Sequence, residues 1–204
     1  MTVGAEMAAN VSRREFAGGV TAFVVSPALV AGGRYLKTPL MLALEDKSFY
    51  ETSGGGVTLS GGEPLFFWEW TAVLLRRFKK AGLHTCLDTS LYAPAYAIDA
   101  VVPHVDMWLA DYKADDEALH QKFTGVSNKI IKRNLERLVS AKAKLEVRCL
   151  VVPGCTEDMS ARYAYLESIG ISRKDVVELE YFDYARSKYK ALGIPDTMPE
   201  KRSQ

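Results

Sequence analysis

A short run of glycine, strand-forming residues and glycine again, at residues 52–64, most constrains how this chain can fold. Three consecutive glycines, Gly54–Gly56, end whatever regular structure precedes them, because residues without a Cβ hold neither a helix nor a strand well. Val57–Leu59 is a β-branched, apolar run of strand length. Gly61 and Gly62 then remove side chains from the end of that strand, so a ligand can lie directly against the backbone. The run therefore predicts a buried strand with an accessible end.

Glu63 places a carboxylate beside this bare backbone, and Pro64 begins the next helix with its φ already set. Such a site suits a small ligand that carries an ammonium group. A second interpretation stays open, because a glycine-rich turn between a strand and a helix, followed by a solvated glutamate, has the same pattern.

Beyond this run, apolar strands alternate with amphipathic helices. Helices are predicted from Thr38 to about Lys47, from Pro64 to Gly82, at 95–102, at 128–143 and from Met159 to Gly170, and strands at 57–59, 84–89, 106–113, 145–152 and 176–181. Strands and helices that alternate at this spacing predict a parallel sheet with right-handed crossovers. We therefore expect an α/β fold, a partial (β/α) barrel of about five to six parallel strands.

Residues 1–36 form a divergent N-terminal segment with two competing interpretations. Ser12–Phe16, with its paired arginines, precedes a glycine-dotted and modestly apolar stretch and resembles a twin-arginine export signal. Residues 19–25 also fit a buried first strand that ends at Ser26–Pro27. The barrel domain is predicted at 37–193 and a flexible tail at 194–204.

The amino-acid composition limits the expected binding partners and the expected cellular compartment. Lys plus Arg number 26 and Asp plus Glu number 25, so the charge balance favours neither nucleic acid nor an anionic membrane as a partner. No stretch is long and apolar enough to span a bilayer. The 3 cysteines, at 86, 149 and 155, form neither a disulfide framework nor a metal-binding spacing, which is typical of a reducing compartment. We expect a cytoplasmic monomer, with twin-arginine export as the alternative location.

Polar and charged residues follow the predicted ends of different strands. They are Gly62 and Glu63, Asp88 and Thr89, Asp111 and Lys113, and Arg148. The carboxyl ends of parallel strands meet at one edge of a barrel, and a closed apolar core does not tolerate unpaired charges. The set therefore predicts a ligand-binding cleft, although each residue alone fits a surface charge or a strand-end cap equally well.

Three segments resemble one enzyme family. GGGVTLSGGEPL at 54–65 resembles the glycine-rich segment of the radical S-adenosylmethionine enzymes that activate glycyl radical enzymes, the pyruvate formate-lyase activating enzyme group. TCLDTS at 85–90 resembles that family's TCLDTSG segment, and Asp111–Lys113 resembles its DLK motif. The motifs come in the family's order, and the resemblance runs from about residue 37 to about residue 193. It implies the radical S-adenosylmethionine type of partial barrel.

The resemblance also implies a role for each strand-end residue. The expected S-adenosylmethionine-binding residues are Gly61, Gly62, Glu63, Asp88, Thr89, Asp111, Tyr112, Lys113 and Arg148. In the family the GGE motif holds the ammonium group of S-adenosylmethionine. Asp88 and Asp111 are expected to face that ammonium or a bound monovalent cation, and Lys113 the carboxylate. Residues 115–128 resemble the segment near the incoming glycyl loop of the partner, a glycyl radical enzyme similar to pyruvate formate-lyase.

One essential part of the family pattern is absent from the printed sequence. Family members cleave S-adenosylmethionine reductively at a four-iron four-sulfur cluster, and the resulting radical takes a hydrogen from a glycine of the partner. Three thiolates of a C-x-x-x-C-x-x-C loop hold that cluster. This chain has no cysteine before Cys86, and Cys86 and Cys149 are expected to point to opposite faces of their strands. The family's DTSG glycine is also replaced, by Leu91.

Three hypotheses follow. The first is an activating enzyme by family that is inactive or truncated as it stands, with no certain catalytic residue and no cluster ligands. The alternative is a non-catalytic module that binds S-adenosylmethionine or docks the partner. The third is a different (β/α) enzyme that uses Asp88, Asp111, Lys113 and Arg148 on a phosphate or carboxylate substrate.

Overall fold

The computed structural model of the protein describes residues 9–16, 20–27, 38–182, 186–193 and 195. The chain divides into two compact units. The first unit comprises Met1–Ala110 and Ile130–Leu145, and the second comprises Asp111–Lys129 and Glu146–Gln204.

The strands of the first unit are β1 (Ala9–Phe16), β2 (Val20–Pro27), β3 (Val57–Gly61), β4 (Thr85–Thr89) and β5 (Met107–Asp111), whose last residue opens the second unit. β1 pairs with β2 antiparallel, and β2 to β5 follow one another with parallel pairing. Leu59 of β3 pairs with Leu87 of β4, so the carboxyl ends of these two strands lie at the same edge. In the second unit, β6 (Leu145–Val151) pairs with β7 (Val176–Glu180), also parallel.

The described helices are α1 (Pro39–Glu45), α2 (Lys47–Ser53), α3 (Trp68–Lys80), α4 (Ala95–Val101), α5 (Glu117–Thr124), α6 (Lys129–Ser140), α7 (Ser160–Ser168) and α8 (Arg186–Leu192). Short 3-10 helices cover Pro64–Phe67, Val102–His104 and Arg173–Asp175. Helices therefore connect successive parallel strands, and the predicted α/β class is confirmed.

The core of the first unit lies on its central strands. Leu59, Leu87 and Trp108 belong to three adjacent strands and are fully buried. On α3, Leu75 and Phe78 are fully buried as well. Burial of each such side chain contributes about 1.5–3 kcal/mol relative to exposure, so these contacts fix how the strand ends are placed.

The first helix of the predicted barrel begins where the sequence indicates, but it is shorter than predicted and a second helix follows it. Thr38 caps α1, because its hydroxyl oxygen accepts a hydrogen bond from Met41 N at 3.3 Å, and Pro39 occupies the first turn. The predicted helix ends at Glu45, and a second helix, α2, follows directly. The elements α2, α8 and the antiparallel strand β1 were not predicted from the sequence.

Gly56 is required because a neighbouring backbone leaves no room for a side chain at this position. Val57 N donates a hydrogen bond to His84 O at 2.9 Å, which brings the two backbones together. A Cβ at position 56 would stand 2.3 Å from His84 O. The last of the three glycines is therefore a close backbone contact as well as a helix breaker.

At the chain's N-terminal end, β2 covers most of the stretch that was considered as a first strand, and Ser12–Phe16 lie within β1. These strands do not test the export hypothesis. Residues 28–37, 194 and 196–204 lie outside the described residues. The predicted domain boundaries therefore stay predictions.

Candidate functional site

The end of β3 presents bare backbone, as the sequence predicted. Gly61 has φ 141°, a backbone conformation that side chains other than glycine rarely adopt. A Cβ at Gly62 would have no neighbour within 4 Å, so the space beside this residue is open. Both glycines are exposed, and a ligand can therefore approach the peptide groups of this turn directly.

The Glu63 carboxylate is fully engaged by the protein itself. Its Oε1 accepts hydrogen bonds from Leu65 N at 3.0 Å and from the Thr89 hydroxyl at 2.6 Å. Its Oε2 accepts from Ser90 N at 2.8 Å and from the Ser90 hydroxyl at 2.5 Å. A carboxylate has about four lone-pair positions, and these donors fill them. Glu63 therefore joins the turn after β3 to the segment after β4.

Asp88 lies at the end of β4, beside the same turn. It is half-buried, and its Oδ2 accepts a hydrogen bond from the Ser60 hydroxyl at 2.9 Å. Thr89, the next residue, is 2% exposed and is held by Glu63. The structure thus brings five of the predicted residues together in the first unit, namely Gly61, Gly62, Glu63, Asp88 and Thr89.

The second unit holds the other predicted residues around Asp111. Arg148 Nη2 contacts Asp111 Oδ1 at 3.0 Å, and Lys113 Nζ contacts Asp111 Oδ2 at 3.0 Å. The side chains of Lys113, Asp111 and Arg148 are 43%, 31% and 19% exposed, respectively. We call these three residues the Asp111 ion triplet. In it, one carboxylate lies between two cations near the surface.

Tyr112 is placed differently from its two neighbours in sequence. Its side chain is fully buried, and its hydroxyl donates to Asp115 Oδ1 at 2.5 Å. Burial, followed by the hydrogen bond to Asp115, raises the pKa of Tyr112 far above its ordinary value. These contacts give Tyr112 a packing role, and its predicted part in cofactor binding stays a prediction.

Arg162 on α7 supports the same region, and the sequence pattern did not single it out. It is 2% exposed, and it donates to the backbone oxygens of Lys113 at 3.4 Å, Leu150 at 3.0 Å and Thr156. It therefore ties the segment after β5 to the end of β6. Its spacing from Met159 and Leu166, on the buried face of α7, was the available signal.

A cavity of about 320 Å³ lies within the second unit. Its lining residues come from the segment after β5, from α5, from the end of β6 and from α8; they include Lys113, Leu119, His120, Phe123, Val152 and Tyr189. His120 is 3% exposed, and its Nδ1 lies 2.7 Å from Val126 O. A backbone oxygen can only accept, so Nδ1 carries the hydrogen and fixes the turn after α5.

The cysteines do not fit a four-iron cluster. Cys86 and Cys149 are buried within β4 and β6, and Cys155 is half-buried in the loop after β6. Burial raises the pKa of Cys149 to about 11, which disfavours the thiolate that a metal requires. Among the described residues, no group of three or more His, Cys, Asp or Glu side chains is placed to hold a metal ion.

Within the ranges that the structure describes, no helix combines the length and the apolar character needed to cross a membrane.

Comparisons with known proteins agree with the resemblance seen in the motifs. No protein-family model matches the sequence. The (2S)-3-sulfopropanediol dehydratase activating enzyme of Klebsiella oxytoca is 38% identical over 158 residues, which are 76% of this chain and 50% of that enzyme. The pyruvate formate-lyase-activating enzyme of Staphylococcus epidermidis is 36% identical over 158 residues, or 73% of this chain and 62% of that enzyme. The chain thus spans about half to three fifths of the length of these curated relatives.

Solved structures support the same assignment. A domain of the pyruvate-formate lyase-activating enzyme from Bacteroides vulgatus superposes with a TM-score of 0.58 at 30% identity, and covers 63% of this chain and 82% of that one. Streptococcus suis SuiB bound to S-adenosylmethionine superposes with a TM-score of 0.57 at 13% identity, over 76% of this chain and 38% of SuiB, and shares the fold alone. The fold is therefore that of the radical S-adenosylmethionine proteins, and this chain belongs to the family of glycyl-radical-enzyme activating enzymes.

Proposed function

We propose that the turn after β3 in the first unit binds the ammonium group of S-adenosylmethionine. The observation that carries this proposal is the open, side-chain-free backbone at Gly61 and Gly62 beside the half-buried Asp88. An ammonium group has only donors, so it needs backbone oxygens and an anion around it. The turn and Asp88 supply both.

Glu63 contributes to this site indirectly. Its carboxylate is already saturated by Leu65, Thr89 and Ser90, so it holds the turn in place while the backbone oxygens and Asp88 receive the ligand. This division of roles differs from the sequence-based expectation, in which Glu63 itself was a candidate to face the ammonium. When bound, S-adenosylmethionine supplies the sulfonium whose cleavage is the family's radical source.

In the second unit we propose that Lys113 binds a carboxylate group. Lys113 Nζ is partly exposed and is oriented by Asp111, while Arg148 balances the charge of that aspartate. Two cations already contact Asp111, which does not favour a monovalent cation at this residue.

We propose that the three cysteines of this chain do not assemble a cluster, so the chain's own residues bind the cofactor without cleaving it. The proposed partner is a glycyl radical enzyme. Support comes from the relatives, which are named as activating enzymes of other enzymes. Residues 115–128, which include α5 and line the cavity of the second unit, are the proposed docking segment. The cytoplasmic location, the export alternative and the monomeric state stay predictions.

Calorimetry with S-adenosylmethionine tests the binding proposal. The native chain is expected to release binding heat that saturates at one equivalent, and Asp88→Ala to weaken binding about tenfold, because it removes the charged partner of the ammonium. Asp99→Ala is the matched control: Asp99 lies in the same unit, is 55% exposed, and pairs with Arg137. Absence of binding heat for the native chain would refute the proposal.

Iron reconstitution under anaerobic conditions, followed by electron paramagnetic resonance, tests the second part. We expect no reducible four-iron signal and no release of deoxyadenosine. A reducible cluster together with deoxyadenosine would overturn the statement that these cysteines do not assemble one.

A further inference from the structure

The segment after β4 contains a residue in an unusual backbone conformation. Leu91 has φ 58°, in the left-handed region, and its side chain is fully buried. Leucine rarely adopts this conformation, because its Cβ approaches the following carbonyl oxygen. Leu91 stands where the family's DTSG segment has glycine, so the backbone keeps a glycine-like turn although the residue has changed.

A buried asparagine holds this turn. Asn134 lies on α6 and is 2% exposed. Its Nδ2 donates one hydrogen bond to Leu91 O at 2.9 Å and another to Ala93 O at 2.8 Å. Ala93 N also donates to Leu91 O at 2.9 Å, which closes the turn on itself. Both donors of the amide are therefore used on carbonyl oxygens of this turn, those of Leu91 and Ala93.

Hydrogen bonds also connect the turn at Leu91 to Glu63. Leu91 N donates to the Thr89 hydroxyl oxygen at 3.0 Å, and that hydroxyl donates to Glu63 Oε1 at 2.6 Å. Ser90, between them, donates to Glu63 Oε2 from its backbone and from its hydroxyl. A continuous series of hydrogen bonds thus runs from α6 through Leu91 and Thr89 to the glycine turn after β3.

We propose that Asn134 is a positioning residue for the ligand-binding turn: its amide replaces the conformational freedom of a glycine at position 91 and so keeps Thr89 and Ser90 on Glu63. The connection to ligand binding rests on the proposed function. The hydrogen-bond series itself belongs to the free protein and can be tested without any ligand.

Amide hydrogen exchange of the free chain is the first test. In Asn134→Ala we expect the Ser90 and Leu91 amides to exchange about tenfold faster, since two hydrogen bonds that fix their segment are lost. The amides of Cys86 and Leu87, within β4, are expected to keep their protection. Asn128→Ala is the matched control, because Asn128 is also 2% exposed and its Nδ2 donates to two carbonyls, those of Ala114 and Asp115 in the second unit. Unchanged Ser90 and Leu91 exchange in Asn134→Ala would overturn the proposal.

A glycine at position 91 provides the rescue. In Asn134→Ala combined with Leu91→Gly, the turn no longer needs the amide to hold its conformation, so the protection of Ser90 is expected to return to within about twofold of that in Leu91→Gly alone. If Asn134 only filled space in the core, the glycine at position 91 would not restore this protection. Equal losses of protection with leucine and with glycine at position 91 would therefore contradict the positioning role.

The double variant Asn134→Ala with Leu91→Gly provides a second measurement if Asn134→Ala alone does not fold. Glycine adopts the left-handed conformation without strain, so the proposal expects the double variant to fold. A double variant that also fails to fold, while Leu91→Gly alone folds, would contradict the proposal. Calorimetry on the same variants separates this inference from the proposed function: failure of the native chain to bind S-adenosylmethionine ends the proposed function alone.

Discussion

The two units each organise a carboxylate at the end of a strand, but with different partners. In the first unit, Glu63 is surrounded by neutral donors, two backbone amides and two hydroxyls. In the second unit, Asp111 lies between the cations of Lys113 and Arg148. Neutral hydrogen bonds are directional and insensitive to salt, whereas partly exposed ion pairs are weak and screened. Glu63 therefore fixes backbone geometry, whereas the Asp111 ion triplet sets local charge.

The largest expected effect is at Glu63. Glu63→Ala leaves the Thr89 hydroxyl and the backbone amides of Ser90 and Leu65 without their acceptor. We expect a loss of about 3 kcal/mol in the free energy of unfolding, because several partly buried donors lose their partner together. Urea denaturation measures this loss, and it is expected to be the same at low and high salt.

Glu69→Ala is the control for this variant, since Glu69 is an exposed acidic residue in the first turn of α3. Its expected effect is about 0.5 kcal/mol, from the helix dipole alone. Equal losses of unfolding free energy for Glu63→Ala and Glu69→Ala would mean that the hydrogen bonds of Glu63 stabilise the protein no more than an exposed charge does.

A smaller effect is expected in the Asp111 ion triplet. Asp111→Asn keeps the shape of the side chain but removes its charge, and we expect a loss of about 1 kcal/mol, since the three side chains are partly solvated. The difference between native chain and variant should shrink as salt is raised, because screening weakens the pairs that the variant lacks. A loss as large as that of Glu63→Ala, and independent of salt, would show that Asp111 does not act through screened ion pairs.

The smallest expected effect concerns Asp106, a carboxylate with both kinds of partner. Burial alone would raise its pKa, but hydrogen bonds from Lys79 and Thr85 outweigh burial and lower the pKa below its ordinary value of 3.8. A lowered folded pKa gives stability that is present above the unfolded pKa and lost as pH falls through the folded value. The native chain should therefore lose stability below about pH 4 more steeply than Asp106→Asn. Parallel acid-unfolding curves for the two proteins would show that Asp106 contributes nothing there.

Much of the architecture follows from local sequence. The alternation of strands and helices depends on the spacing of apolar residues, and the glycines around β3 mark its ends; both are properties of short segments. The placement of charges after strands follows from the parallel topology. For this reason Gly62, Asp88 and Asp111 could be predicted at strand ends from the sequence alone.

The partners of those residues could not be predicted in the same way. The saturation of Glu63 depends on how the segment after β4 folds back, which involves residues 26 and 27 positions away in sequence. Leu91 gives no local sign of a left-handed conformation. Asn134 did give a signal, because it lies three residues after Ile131 and four before Leu138 on the buried face of α6. A single polar residue on an apolar stripe requires a partner, and the sequence alone does not name it.

Above all, we propose that the bare turn at Gly61 and Gly62, held by Glu63 and beside Asp88, receives the ammonium of S-adenosylmethionine. Titration of the isotopically labelled chain with S-adenosylmethionine, followed by amide chemical shifts, tests it most directly. We predict saturable shifts that are largest at Gly61, Gly62 and Asp88. Shifts that do not saturate, or that leave these three amides unchanged, would contradict the claim.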